Sequence, residues 1–186
     1  MTVLVDWQLQ NLIQQGTLKV LPLADGAIQP NSIDVRLGYT FATYVGTTPI
    51  DPYEEASVLA DLMTIQDHEV TISKGAFLLA ETLEVIELPN NICAVIEGKS
   101  SLARLGLTVH QTGGWVDCGF KGNITLEMTN ENARPIILRT GMPIAQIVFM
   151  QTESAKNPYH SINGAKYVGQ HGVTASRFYL NKRIDI

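Results

Sequence analysis

Hydrophobic positions in this chain follow two different periods. Near the start, Leu9, Leu12 and Ile13 recur at i, i+3 and i+4, which is the spacing of one helix face. Asp6 stands where an N-cap belongs and Gly16 where such a helix stops. Further on, the helical spacing gives way to short apolar runs broken by turn residues. Strands are predicted over residues 32–37, 40–45, 70–72, 77–84, 92–96, 123–128, 136–138 and 144–150. The breaks fall at Gly38, Pro49, Lys74-Gly75, Pro89-Asn90-Asn91, Gly113-Gly114, Gly119, Gly122 and Thr140-Gly141, all residue types that favour turns. Many short strands with regular punctuation predict a β-sandwich, jelly roll or closed barrel, not a parallel α/β sheet. A short second helix is expected over residues 54–63. From Thr152 the chain turns polar and rich in Gly, Asn, Ser and Lys. Such a tail commonly frays; the alternative is that it folds over a ligand or a neighbouring subunit.

Composition narrows this picture. The chain has 186 residues, 45 % of them apolar, which suits a single domain over residues 1–186. Its net charge of −5 and the lack of a basic stripe argue against nucleic acid as a partner. A few converging basic groups can still bind a small anion. The two cysteines, Cys93 and Cys118, form no C-x-x-C pair and have no His motif at zinc-ligand spacing, so both are expected to be buried thiols. No stretch has the length of apolar sequence that a membrane-spanning helix needs, and no signal peptide is apparent. The expected location is the cytoplasm.

Two segments concentrate candidate chemistry. Gly98-Lys99-Ser100-Ser101-Leu102-Ala103-Arg104 places Lys, Arg and hydroxyl donors at a turn or helix start, an arrangement suited to phosphate. It is not a Walker A loop, and alone it also reads as a capped surface helix. The glycine-rich run from Gly113 to Gly122 forms a tight hairpin leading into Ile124-Thr125-Leu126-Glu127-Met128. There Glu127 alternates with the apolar set and lies on the opposite face. By pattern alone it is a solvent-facing glutamate, and Asp117 a turn residue.

Six motifs in order resemble those of the dCTP deaminase branch of the dUTPase superfamily. They are residues 29–38, 98–104, 114–122, 124–127, 141–146 and 166–170. The resemblance implies a mainly β subunit, a distorted β-barrel or jelly roll with a short N-terminal helix, assembled as a homotrimer with active sites between subunits. It implies zinc-independent deamination of dCTP, with Glu127 as general base, Ser100 orienting the carboxylate or water, and Arg104 beside Glu127. Lys99, Ser100, Ser101, Leu102, Ala103 and Arg104 match the phosphate-facing positions. Asp117, Thr125, Leu126 and Glu127 match positions that contact sugar and base, and Gln146 falls in a further matching motif. Tyr159, Lys166 and Gln170 match a C-terminal segment, about residues 152–186, that closes over the site. Magnesium is implied as a companion of the triphosphate, and dTTP as a feedback inhibitor. Lys99 stands where the family more often has Arg, which replaces a bidentate fork by a point charge.

Gly114, Trp115 and Gln146 lean toward the type that continues from dUTP to dUMP and pyrophosphate, with Asp117 activating a second water. Gly113 and Ala145 fit neither type. The alternatives are a deaminase that stops at dUTP, one that accepts CTP or a 5-substituted cytosine, a dUTPase, and a non-catalytic nucleotide-sensing trimer.

Overall fold

The computed structural model describes residues 1–182. In chain order the elements are β1 (Thr2–Val3), α1 (Asp6–Gln14), β2 (Lys19–Leu21), β3 (Ile28–Gln29), β4 (Ser32–Tyr44), α2 (Glu55–Leu59), β5 (Leu62–Gln66) and β6 (Glu69–Ile72). They continue with β7 (Phe77–Thr82), β8 (Val85–Glu87), β9 (Ile92–Gly98), α3 (Ser100–Ala103), β10 (Leu107–Val109), β11 (Trp115–Val116), β12 (Lys121–Gly122), β13 (Thr125–Asn130), β14 (Ile136–Arg139) and β15 (Pro143–Gln151). The main sheet runs β10-β13-β7-β4-β15-β9-β11 and curls into a half-barrel. Two smaller sheets are β12-β8-β2 and β14-β6. Every strand pair is antiparallel, as expected for a β architecture without helical crossovers. No described helix is long and apolar enough to cross a membrane.

The helix is where its pattern put it, with Leu9 buried and Leu12 and Ile13 packed on the core. Gly16, at φ +72°, ends it in the left-handed region that glycine adopts freely. The cap differs from expectation. Val5 is the N-cap and its N–H donates to Gln8 Oε1 at 3.1 Å. Asp6 lies inside the first turn, where its carboxylate accepts the Trp7 N–H and faces the positive end of the helix dipole.

The two strands expected on either side of Gly38 are one strand, β4. Pairing with β7 runs from Leu37 opposite Thr82 to Phe41 opposite Ala80, with a register shift between them. Gly38 marks this bulge because the Glu81 side chain crosses it: a Cβ there would lie 2.3 Å from Glu81 Cγ. Glycine here signals close approach, not a turn.

The polar tail does not fray. Its amides are spent on the barrel: Thr152 on Asn91, Ala155 on Asn90, Tyr159 on Cys118 and Gly169 on Lys121, all at 2.7–2.9 Å. Gln170 then pairs with Gly122 in a parallel bridge. The tail's polar composition reflects this run of turns and backbone bonds. Its last four residues lie outside those described.

Candidate active site

Strand pairing positions the central carboxylate. Glu127 lies opposite Leu79, and Thr125 opposite Glu81, in the β13–β7 ladder. Leu126, between them, points into the core and is 0 % exposed. The Glu127 side chain is 35 % exposed and lines a cleft of about 450 Å³. The expected alternation is therefore borne out, but the polar face opens on a concave site and not on open solvent.

β10 closes one side of the cleft. Val109 pairs with Met128, so the next residue, His110, comes to lie against Glu127. His110 adopts φ +65° and its N–H donates to the Glu127 carbonyl at 2.9 Å. Its ring is 6 % exposed, with Nδ1 3.1 Å from Glu127 Oε2. The contact lies off the line of a hydrogen bond, and neither ring nitrogen has a hydrogen-bond partner. His110 was not among the sequence-predicted site residues. The segment 108–112 that leads into the glycine hairpin stands out in sequence as a flexible one, but only the β10–β13 register brings His110 against Glu127.

β11 forms the opposite rim. Trp115 is half exposed at the mouth and its indole N–H donates to Asp117 Oδ1 at 3.1 Å. Just before it, the Gly114 carbonyl accepts the Ile96 N–H at 2.8 Å. A Cβ on Gly114 would stand 3.1 Å from the Ile96 carbonyl and 3.5 Å from His110 Cδ2, which accounts for glycine at this crossing. The tail supplies the remaining wall. The Tyr159 ring lies 6.2 Å from that of Phe120, and the Tyr159 hydroxyl accepts the Tyr167 N–H. Gln170 Nε2 donates to the Asn123 carbonyl at 2.6 Å, while its Oε1 is sealed without a donor. Tyr44 also lines the cleft, and burial pushes its phenol pKa up.

Trp115, Asp117, Thr125, Glu127, Tyr159 and Gln170 thus converge. Leu126 does not line the cleft; its side chain belongs to the core. Residues 99–104 form a second, separate group. Ile96 is the last β9 residue lining the cleft; beyond it the chain turns at Gly98 into α3. There Ser100, Ser101, Ala103 and Arg104 are exposed, and Leu102 packs partly on the core. The expectation that Arg104 lies beside Glu127, with Ser100 orienting its carboxylate, is therefore not met within one chain. Lys99 pairs with Asp34 at 2.7 Å. Gln146 is also absent from the cleft lining: it stands opposite Glu97 of β9, and its Oε1 accepts the Ser32 hydroxyl at 3.3 Å. Lys166 is held by the tail itself, donating to Asn181 at 2.7 Å and lying over the Phe178 ring. Of the two thiols, Cys93 is buried as expected. Cys118 is only half-buried, because it sits in the turn after β11, with Sγ 3.6 Å from the Thr152 hydroxyl.

A dCTP deaminase-like family model matches residues 3–152. A protein named dCTP deaminase, dUMP-forming, from Methanosphaerula palustris is 53 % identical over 182 residues, 97 % of this chain and 98 % of that protein. One of the same name from Mycobacterium avium is 44 % identical over 184 residues, 96 % of this chain and 97 % of that protein. The crystal structure of 2'-deoxycytidine 5'-triphosphate deaminase from Agrobacterium tumefaciens superposes with a TM-score of 0.63 at 23 % identity, over 80 % of this chain and 48 % of that one. This chain therefore spans about half the length of that solved structure, and the likeness is one of fold. On the family match and the two whole-length relatives, the chain belongs to the dCTP deaminase-like family.

Proposed function

We propose that this chain hydrolyses dCTP to dUTP and ammonia and carries the product on to dUMP and pyrophosphate. The observation that carries the reading is the Glu127 carboxylate, half exposed in a cleft also lined by Asp117, Thr125 and Gln170, in a chain whose whole-length relatives are named dUMP-forming dCTP deaminases. Glu127 takes a proton from water, the oxygen attacks C4, and the same carboxyl returns the proton as ammonia leaves. His110 offers a ring nitrogen 3.1 Å away, able to steady the carboxylate when protonated. Asp117, whose carboxylate accepts the Trp115 indole N–H, would activate the second water, whose oxygen attacks the α-phosphorus and expels pyrophosphate.

In this reading residues 99–104 face the triphosphate, and the tail from Thr152 closes the site with Tyr159 and Gln170. The described residues bring no three His, Cys, Asp or Glu side chains together as a metal cage. Magnesium, implied by the family resemblance, would arrive on the triphosphate, offsetting its charge and keeping several waters. A homotrimer would bring residues 99–104 of one subunit to the cleft of another. dTTP keeps the sugar and triphosphate but lacks the 4-amino group, and would compete for the same cleft.

The test is ammonia release from dCTP, CTP and dUTP with chromatography of the products. Ammonia together with dUMP and pyrophosphate is the expected result, and ammonia with dUTP alone would restrict the reaction to its first half. Glu127→Gln should end ammonia release while nucleotide still binds. A variant that deaminates normally sinks the assignment.

A further inference from the structure

A charged pair stands beside residues 99–104, and the role argued for it rests on the proposal that this segment faces the triphosphate. Lys99 Nζ lies 2.7 Å from Asp34 Oδ2, the two side chains being 24 % and 18 % exposed. Asp34 sits in β4 opposite Gln146 of β15, and Gln146 in turn lies opposite Glu97 of β9. Lys99 follows that strand, so its ammonium reaches back over β15 to β4. The polar neighbours on β4 are engaged elsewhere. Arg36 donates to Glu84 through Nε at 2.7 Å, and the Ser32 hydroxyl donates to Gln146. The second Asp34 oxygen, Oδ1, is sealed from solvent with no hydrogen-bond donor.

Stability alone does not explain this arrangement. A partly exposed ion pair contributes little, and a carboxylate oxygen buried without a donor is unfavourable. The chemistry of lysine supplies a reason. A guanidinium brings its own rigid fork to a phosphate, whereas an ammonium is a strongly hydrated point charge on a flexible four-carbon stem. Pre-placing that charge requires an external anchor. A carboxylate at 2.7 Å is such an anchor, and it occupies only one of the three ammonium donors.

We propose that Asp34 is a positioning residue that fixes the Lys99 ammonium at the start of α3, so that the triphosphate meets a cation already in place. Asp34 does not touch the reacting atoms. It acts through Lys99, and its effect exists only while position 99 is lysine.

A double-mutant cycle on the full-length chain tests this. Asp34→Asn keeps the shape and removes the charge. It should raise the KM for dCTP about tenfold, with kcat falling far less, and a thermal melt should show the variant folded. Lys99→Gln should raise KM at least as much, and adding Asp34→Asn to it should bring no further rise. Lys99→Arg, whose fork carries its own geometry, should make Asp34→Asn nearly harmless. Multiplying effects of Asp34→Asn and Lys99→Gln, or an unchanged KM for Asp34→Asn beside a raised one for Lys99→Gln, overturn the proposal and leave the phosphate reading standing. An unchanged KM for Lys99→Gln overturns both.

Discussion

Gly122 is where the tail meets the barrel, and replacing it by alanine isolates that contact. The residue adopts φ +144°, a region that a residue with a Cβ occupies at a cost of about 1–3 kcal/mol. An added Cβ would stand 2.7 Å from the Gln170 carbonyl oxygen and 3.0 Å from its nitrogen. Both are backbone atoms, so no rotamer change relieves the contact. Relief comes most easily by releasing the segment from Gly169 to Thr174, which gives up four hydrogen bonds: Asn123 N–H to Gln170 O, Gly169 N–H to Lys121 O, Gln170 Nε2 to Asn123 O, and Thr174 N–H to Thr125 Oγ1. At about 1 kcal/mol net for each bond, release costs about 4 kcal/mol, against about 1–3 kcal/mol for the backbone angle plus the overlap of the Cβ with two backbone atoms. Gly122→Ala should therefore detach this segment in a substantial fraction of molecules. Amides from Gly169 to Thr174 should exchange with deuterium about a hundredfold faster, while those of β9 and β15 keep their protection. The KM for dCTP should rise about tenfold, since Gln170 leaves the cleft with this segment. Wild-type protection of the tail in the variant would refute the placement of Gln170 against Gly122.

Other parts of the molecule give three further expected outcomes. Leu126→Ala, at a site 0 % exposed, should cost about 3 kcal/mol and lower Tm by roughly 6–12 °C, read by calorimetry. Lys121 and Lys19 hold the Glu87 carboxyl below its ordinary range, so this contribution is full above the ordinary glutamate pKa and is lost as pH falls through the lowered one. Glu87→Gln should then lower Tm by about 1–3 °C at neutral pH, a deficit that closes below about pH 4; an equal deficit at every pH would contradict the pairing. Burial pushes the Cys93 thiol up, and Cys118 is the more open of the two. Peptide mapping after brief alkylation should find Cys118 modified well before Cys93.

How much the sequence disclosed depends on the range of the interaction that decides each feature. Local periodicity located α1 and the strands β4, β6, β7, β9, β13, β14 and β15, because alternation and turn residues act within a few positions; it passed over β1, β2, β3, β5, β8, β10, β11 and β12, mostly two- or three-residue strands too short to show a period. It misread Gly38 because a glycine crossed by a distant side chain, Glu81, looks the same in sequence as a glycine in a turn. It left the tail open between fraying and folding because the tail's bonds are to Asn90, Asn91, Lys121 and Gly122, all far away in the chain. The motifs supplied Glu127, Asp117 and Gln170, but pattern alone treated Glu127 as an ordinary exposed residue. His110 and Asp34 escaped notice for a related reason. Each matters through the residue it lies against, Glu127 in one case and Lys99 in the other, and those pairings exist only once strand register is fixed.

The division of the predicted site into two groups has a consequence for assembly. Glu127 lines the cleft and Arg104 is exposed and not among the residues lining it, so in the proposed homotrimer an active site that uses both takes them from different copies of the chain. Glu127→Gln and Arg104→Ala should each be inactive alone, yet co-expressed in equal amounts they should complement. In a randomly assembled homotrimer, a site is intact when its Glu127 comes from an Arg104→Ala chain and its Arg104 from a Glu127→Gln chain. Each condition holds for half the subunits, so about one quarter of sites should recover. Ammonia release near a quarter of the wild-type rate, measured on the unfractionated mixture, is the expected result. If one chain instead supplied both residues, every chain in the mixture would be defective and the rate would stay at the level of the single variants. That outcome would mean that α3 swings onto the cleft of its own subunit, and the separation seen between Arg104 and Glu127 would then belong to an open state of a single chain.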